Sequence, residues 1–137
     1  MKEYIVSINF HTVPSVTGDQ MSELLGVKSS ALVSREADGK ILWRLESVAD
    51  EASPLTVHIE SVASMLSPSV VVRKDSTVKD IYLDIAVLHQ QDVVAPTVEF
   101  PDSCLDVIRT CFPDIEVEIV CYPCCDDEEG DNGDTSR

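Results

Sequence analysis

Basic residues are scarce in this chain: 10 lysines and arginines stand against 25 aspartates and glutamates in 137 residues, a formal net charge of −15. A surface so short of cations repels phosphate backbones and anionic membranes, which excludes nucleic acid and membrane surfaces as partners. Long apolar runs are missing as well. Nothing approaches the roughly 18 residues that a membrane span requires, and the opening Met-Lys-Glu-Tyr-Ile-Val lacks the apolar stretch of a secretory signal. The expected location is the cytoplasm. Glycines number 5 and form no phosphate-cradling loop, and no serine sits in a Gly-x-Ser-x-Gly elbow. Nucleotide binding and ordinary hydrolase chemistry therefore lack their parts. The 5 cysteines are an odd number crowded after position 103, which fits reduced thiols rather than a disulfide framework. With no catalytic constellation, no cofactor motif and only one CxxC where a zinc site normally needs two, the chain is expected not to be an enzyme and to hold no cofactor.

What the chain has in excess is carboxylate, unevenly placed. Residues 126–137 hold Asp126, Asp127, Glu128, Glu129, Asp131 and Asp134 against Arg137 alone, a net of −5. Self-repulsion and the lack of apolar side chains leave that segment nothing to bury against the entropy of ordering. The expected organisation is a single α+β domain over 1–122 followed by an acidic, disordered tail over 123–137. The tail is no calcium loop: placing Gly133 at the sixth position of an EF-hand puts Gly130 at the third, where an oxygen ligand is required.

Periodicity supplies the elements. Tyr4, Val6, Ile8 and Phe10 alternate with Ile5, Ser7 and Asn9, the period of two of a half-buried strand. Thr17 and Gln20 have the spacing of a capping box ahead of Met21, Leu24 and Leu25, and Gly26 is a left-handed stop. Asp38-Gly39 predicts a hairpin turn between 31–36 and the alternating Ile41, Trp43 and Leu45. Ser53-Pro54 reads as cap and first turn of a helix carrying Leu55, Ile59, Val62 and Leu66 until Pro68. A short extended segment is expected at 70–73, then a strand through Ile81, Leu83, Ile85 and Val87. A third helix opens at Pro101 or Asp102, carries Cys104, Leu105, Ile108 and Cys111, and stops at Pro113. Ile115, Val117, Ile119 and Cys121 form a last strand. Because each long strand alternates, each has one wet face, and the helices belong on the other. The expected fold is a two-layer α+β sandwich, a mostly antiparallel sheet with about three helices on one face.

Several of these residues resemble the small bacterial domain-of-unknown-function family numbered 4279 (DUF4279). The matching features are the early strand, Thr17-Gly18-Asp19 leading into Leu24-Leu25-Gly26, the Trp in Leu42-Trp43-Arg44-Leu45, and the closing order of helix, strand, helix and strand, over roughly residues 3–122. The resemblance implies this fold and a bacterial or phage origin, with no established activity. Some family members resemble immunity or antitoxin proteins encoded beside toxins, so an immunity-like inhibitor is what the resemblance implies.

Three groups of residues invite functional readings. Cys121 and Cys124 form one CxxC with Cys125 adjoining, and Cys104 and Cys111 lie seven apart on one helical face; two such pairs could share a tetrahedral zinc. Single pairs seldom suffice, and an i, i+7 pair is also where core cysteines sit, so a cysteine-coordinated zinc or redox protein is the alternative function. His11, His58 and His89 are scattered without ligand or triad spacing, which reads as solvated or hydrogen-bonded histidines. The outward sides of the strands should bring Ser7, Asn9, Arg44, Glu46, Asp84, Glu116 and Glu118 onto one predominantly anionic face. Glu46, Asp84, Glu116 and Glu118 are the candidate partner-binding residues, for a basic protein partner such as a toxin or effector. Exposed sheet edges could also pair two copies into a homodimer.

Overall fold

The computed structural model describes residues 3–66, 69–90 and 102–124. Along β1 (Glu3–Thr12), Val6, Ile8 and Phe10 are fully buried on one face, and the rest of the sheet is built outward from this strand. The order is β2-β3-β1-β4-β5, with β2 at Leu32–Ala37, β3 at Lys40–Glu46, β4 at Val78–Gln90 and β5 at Glu116–Cys124. β1 pairs antiparallel with both β3 and β4, and β2 with β3, whereas β4 and β5 run parallel. A parallel pair needs a long crossover, and α3 (Asp102–Cys111) lies within it.

One apolar core joins the sheet to the helices. Met21 and Leu25 of α1 (Gly18–Leu25), Leu55, Ile59 and Val62 of α2 (Leu55–Ser64), and Leu105, Ile108 and Cys111 of α3 pack with Ile8, Phe10, Leu45, Leu83 and Ile85 of the strands. Phe10 and Phe112 meet edge to face at 5.3 Å, a geometry that aromatic quadrupoles favour. Trp43 is buried, and its indole N–H donates to Thr12 Oγ1 at 2.8 Å, so the one polar atom of the core's largest ring is satisfied. The fold is the two-layer α+β arrangement of a mostly antiparallel sheet with its helices on one face.

Local chemistry explains the element ends. Thr17 Oγ1 accepts from Gln20 N–H and Gln20 Oε1 accepts from Thr17 N–H, closing the capping box, and Gly26 ends α1 at φ 67°. Asp38 and Gly39 both have positive φ, 54° and 74°, the pair that a twisted two-residue hairpin demands. The start of α2 differs from expectation: Pro54, not Ser53, occupies the cap position and offers no side-chain hydrogen bond. Ser53 instead donates its N–H to Asp50 O, inside a turn where Asp50 Oδ1 also accepts from Ala52 N–H. The segment at 70–73 joins no sheet; Val72 N–H donates to Cys111 O at 2.7 Å and pins it to the end of α3. β5 runs on through Pro123 to Cys124, and residues 125–137, most of the expected tail, lie outside the described residues.

Candidate functional site: the open face of the sheet

No described helix covers the second face of the sheet, and the strand registers assign its occupants row by row. One row reads Val33, Arg44, Asn9, Tyr82, Glu116 across β2, β3, β1, β4 and β5; the next reads Glu46, Ser7, Asp84, Glu118. All four expected partner-binding residues, Glu46, Asp84, Glu116 and Glu118, therefore share this face. Three of them meet cations of the same chain: Glu46 and Asp84 approach Arg44 at 4.0 and 3.8 Å, and Glu116 approaches Lys74 at 3.9 Å. These are long, exposed contacts, each contributing about 0–1 kcal/mol. Glu118 is exposed and makes no ion pair among the described residues.

The centre of this face is not wet, contrary to the alternation rule. Ser7 and Asn9 are 1% and 2% exposed, because β1 is the middle strand and the longer side chains of β3 and β4 lean over it. Ser7 Oγ accepts from Asn9 Nδ2 at 3.0 Å and from Arg44 Nε at 3.3 Å. Burial without loss of hydrogen bonds keeps such a polar strip inexpensive.

Tyr82 forms the focus of the acidic half. Asp80 and Asp84 flank it along β4, Glu116 stands opposite on β5 and Glu118 one row on. Its phenol is held above the ordinary tyrosine pKa, first by burial and then by the charges of Asp84, Glu118 and Asp80, with Arg44 opposing. His11 lies 5.6 Å from the Tyr82 ring, and its Nδ1 is 3.4 Å from Asp80 Oδ2. A shallow depression of about 370 Å³ opens between His11, Asp80, Tyr82, Glu116 and Glu118. Sequence reasoning missed Asp80 because it began the strand at Ile81, and continuing the alternation back would have found it; Tyr82 and His11 were placed on strands but not gathered into the site, since only the cross-strand register brings them together.

The face is not uniformly anionic either. Arg35 and Arg44, with Asn9, Leu42, Tyr82 and Asp84, line a second depression of about 420 Å³ on the β2–β3 side. Its walls are basic where those of the first are acidic.

No protein-family model, curated protein or solved structure matches this chain.

The remaining candidates lie on the helical side or at its margins. Cys111 is buried, which pushes its thiol pKa up and disfavours the thiolate that a zinc site needs. Cys121 is exposed on β5, the side chains of Cys104 and Cys124 and all of Cys125 lie outside the described residues, and among the described residues no group of three His, Cys, Asp or Glu could hold a metal. His58 and His89 are buried, at 2% and 6% exposure. His58 Nδ1 and Ser47 Oγ are 2.9 Å apart, a spacing that a nucleophile and base would share. Ser47 Oγ also accepts from Ala49 N–H, and Ser61 Oγ accepts from Val48 N–H, so the pair ties the loop after β3 onto α2; neither depression opens on it. No described helix is long and apolar enough to cross a membrane.

Proposed function

We propose that this chain is a non-enzymatic protein-binding domain, an immunity- or antitoxin-like inhibitor that acts in the bacterial cytoplasm by covering a basic site on a toxin or other effector. The observation that carries the reading is the ring of Asp80, Asp84, Glu116 and Glu118 around Tyr82 on two adjacent strands. An arginine or lysine entering the depression beside Tyr82 meets carboxylates on two sides and an aromatic face, the pairing that charge-assisted hydrogen bonds and cation–π attraction reward. Arg44, Lys74 and His11 hold those carboxylates only at 3.4–3.9 Å, so a partner's cations can replace them at small cost. The net charge of −15 speeds encounter with a basic surface and discourages anionic competitors. The resemblance to the DUF4279 family lends the same direction.

Calorimetry and size exclusion against the product of the adjacent reading frame test this. The expected result is a complex whose affinity falls steeply as salt rises and drops at least tenfold with Glu118→Lys. No complex, or one indifferent to both salt and that substitution, would remove the basis of the reading.

A further inference from the structure

The open face carries its own complement. Between residues 27 and 45, Lys28, Arg35, Lys40 and Arg44 outnumber Glu36 and Asp38, a net of +2 within a chain of −15. Register puts Arg35, Lys40 and Arg44 on the open face of β2 and β3, while Asp80, Asp84, Glu116 and Glu118 occupy the same face of β4 and β5. Arg35 is exposed and without an ion pair among the described residues, as Glu118 is at the opposite edge. Apolar surface accompanies the charges: Val33 is 64% exposed beside Arg35, and Leu42 and Tyr82 are half-buried between the two halves.

We infer that this face docks on the same face of a second copy of the chain, a proposal that rests on the acidic half being a docking surface for cations and supplies a second occupant for it. A two-fold axis running along β1, parallel to the strands, reverses the strand order of the partner. The basic β2–β3 hairpin of each copy then lies over the acidic β4–β5 pair of the other, and the contact is made twice. An axis across the strands would instead set β2 over β2 and β5 over β5, like charge on like. Charge therefore selects the first arrangement, which is also the aligned packing that twisted sheets adopt. The axis passes over Ser7 and Asn9, which are 1% and 2% exposed and already bond to each other and to Arg44, so docking there desolvates little further polar surface. Five strands about 4.8 Å apart and roughly seven residues long at ~3.3 Å each offer on the order of 550 Å² per copy. That falls below the ~800 Å² per partner of a standard interface and corresponds to a weak, concentration-dependent dimer.

Sedimentation equilibrium on the full chain at near-physiological salt, over a range of concentration, tests the inference. Over β5 of one copy, Arg35 of the second copy falls one row from Glu116; Arg35→Glu makes the molecule more negative by two charges and Glu116→Lys less negative by two, so overall repulsion alone would move association in opposite directions. Contact between the halves requires both single substitutions to weaken the dimer at least tenfold and the combined exchange to restore it. A wild-type chain that stays monomeric up to about 1 mM, a tighter dimer with Glu116→Lys, or no recovery in the double variant overturns the proposal. Arg35→Glu also separates it from the reading above: that substitution weakens self-association and leaves the acidic half intact for a basic partner. Loss of the partner complex with the dimer preserved would count against the partner alone.

Discussion

Tyr82 is the residue whose surroundings report most directly on the acidic half. Burial and three neighbouring carboxylates raise its pKa, Asp84 being the largest of the charges. Each acts because ionising the phenol would add a negative charge to a partly desolvated site that already holds several. Stability linked to this group is therefore present below the ordinary tyrosine pKa of about 10 and is lost as pH rises through the raised folded value. Removing the charge at Asp84 with Asp84→Asn should bring the phenol's ionisation down, and Arg44→Gln, which removes the opposing cation, should push it further up. Ultraviolet absorbance titration of the tyrosines reads both shifts, with Tyr82→Phe identifying which transition belongs to this ring. A titration unmoved by Asp84→Asn would mean that burial alone sets the value and that the carboxylates do not converge on the ring.

Among the elements, α1 and the hairpin are the most legible in the sequence, since each is fixed by contacts a few residues apart. Thr17→Ala should cost about 1 kcal/mol in urea unfolding, because Gln20 N–H loses its acceptor and the box opens; Thr17→Ser should retain most of it. Gly39→Ala meets no atom within 4 Å but must hold φ near +74°, so its cost is backbone strain alone, about 1–2 kcal/mol. Features set by distant contacts were not legible. Alternation in Val117, Ile119 and Cys121 predicts a strand without saying that it runs parallel to β4, because direction depends on where the crossover returns. Ser53-Pro54 has the composition of a cap, yet the turn closed by Asp50 claims Ser53 first. Glu116, Glu118 and Asp84 could be placed on one face from their spacing, whereas their pairing with Arg44 and Lys74, the burial of Ser7 and Asn9, and the basic half at Arg35 all follow from cross-strand register.

At the scale of the molecule, two electrostatic effects of opposite sign compete, and their sizes decide the response to salt. Four Lys or Arg ion pairs hold the described residues, all between 3.6 and 4.0 Å and most of them on exposed side chains; such pairs contribute about 0–1 kcal/mol each and weaken when screened. Against them stands the mutual repulsion of 25 carboxylates offset by only 10 cations, which disfavours the compact state and is also relieved by screening. Shortening the Debye length from about 30 Å at 0.01 M to about 3 Å at 1 M removes repulsion between charges across the whole molecule, while each cis contact spans only a few ångströms. Relief should outweigh loss, so the melting temperature is expected to rise by several degrees as sodium chloride replaces low-salt buffer, with chloride rather than sulfate chosen because sulfate also strengthens apolar burial. Glu118→Gln, which removes a charge that has no ion pair among the described residues, should raise the low-salt melting temperature and shrink the salt response. A melting temperature that falls with salt would mean that the long ion pairs of the open face outweigh its repulsion, and carboxylates held that firmly in cis would not be free to receive the cations of a partner.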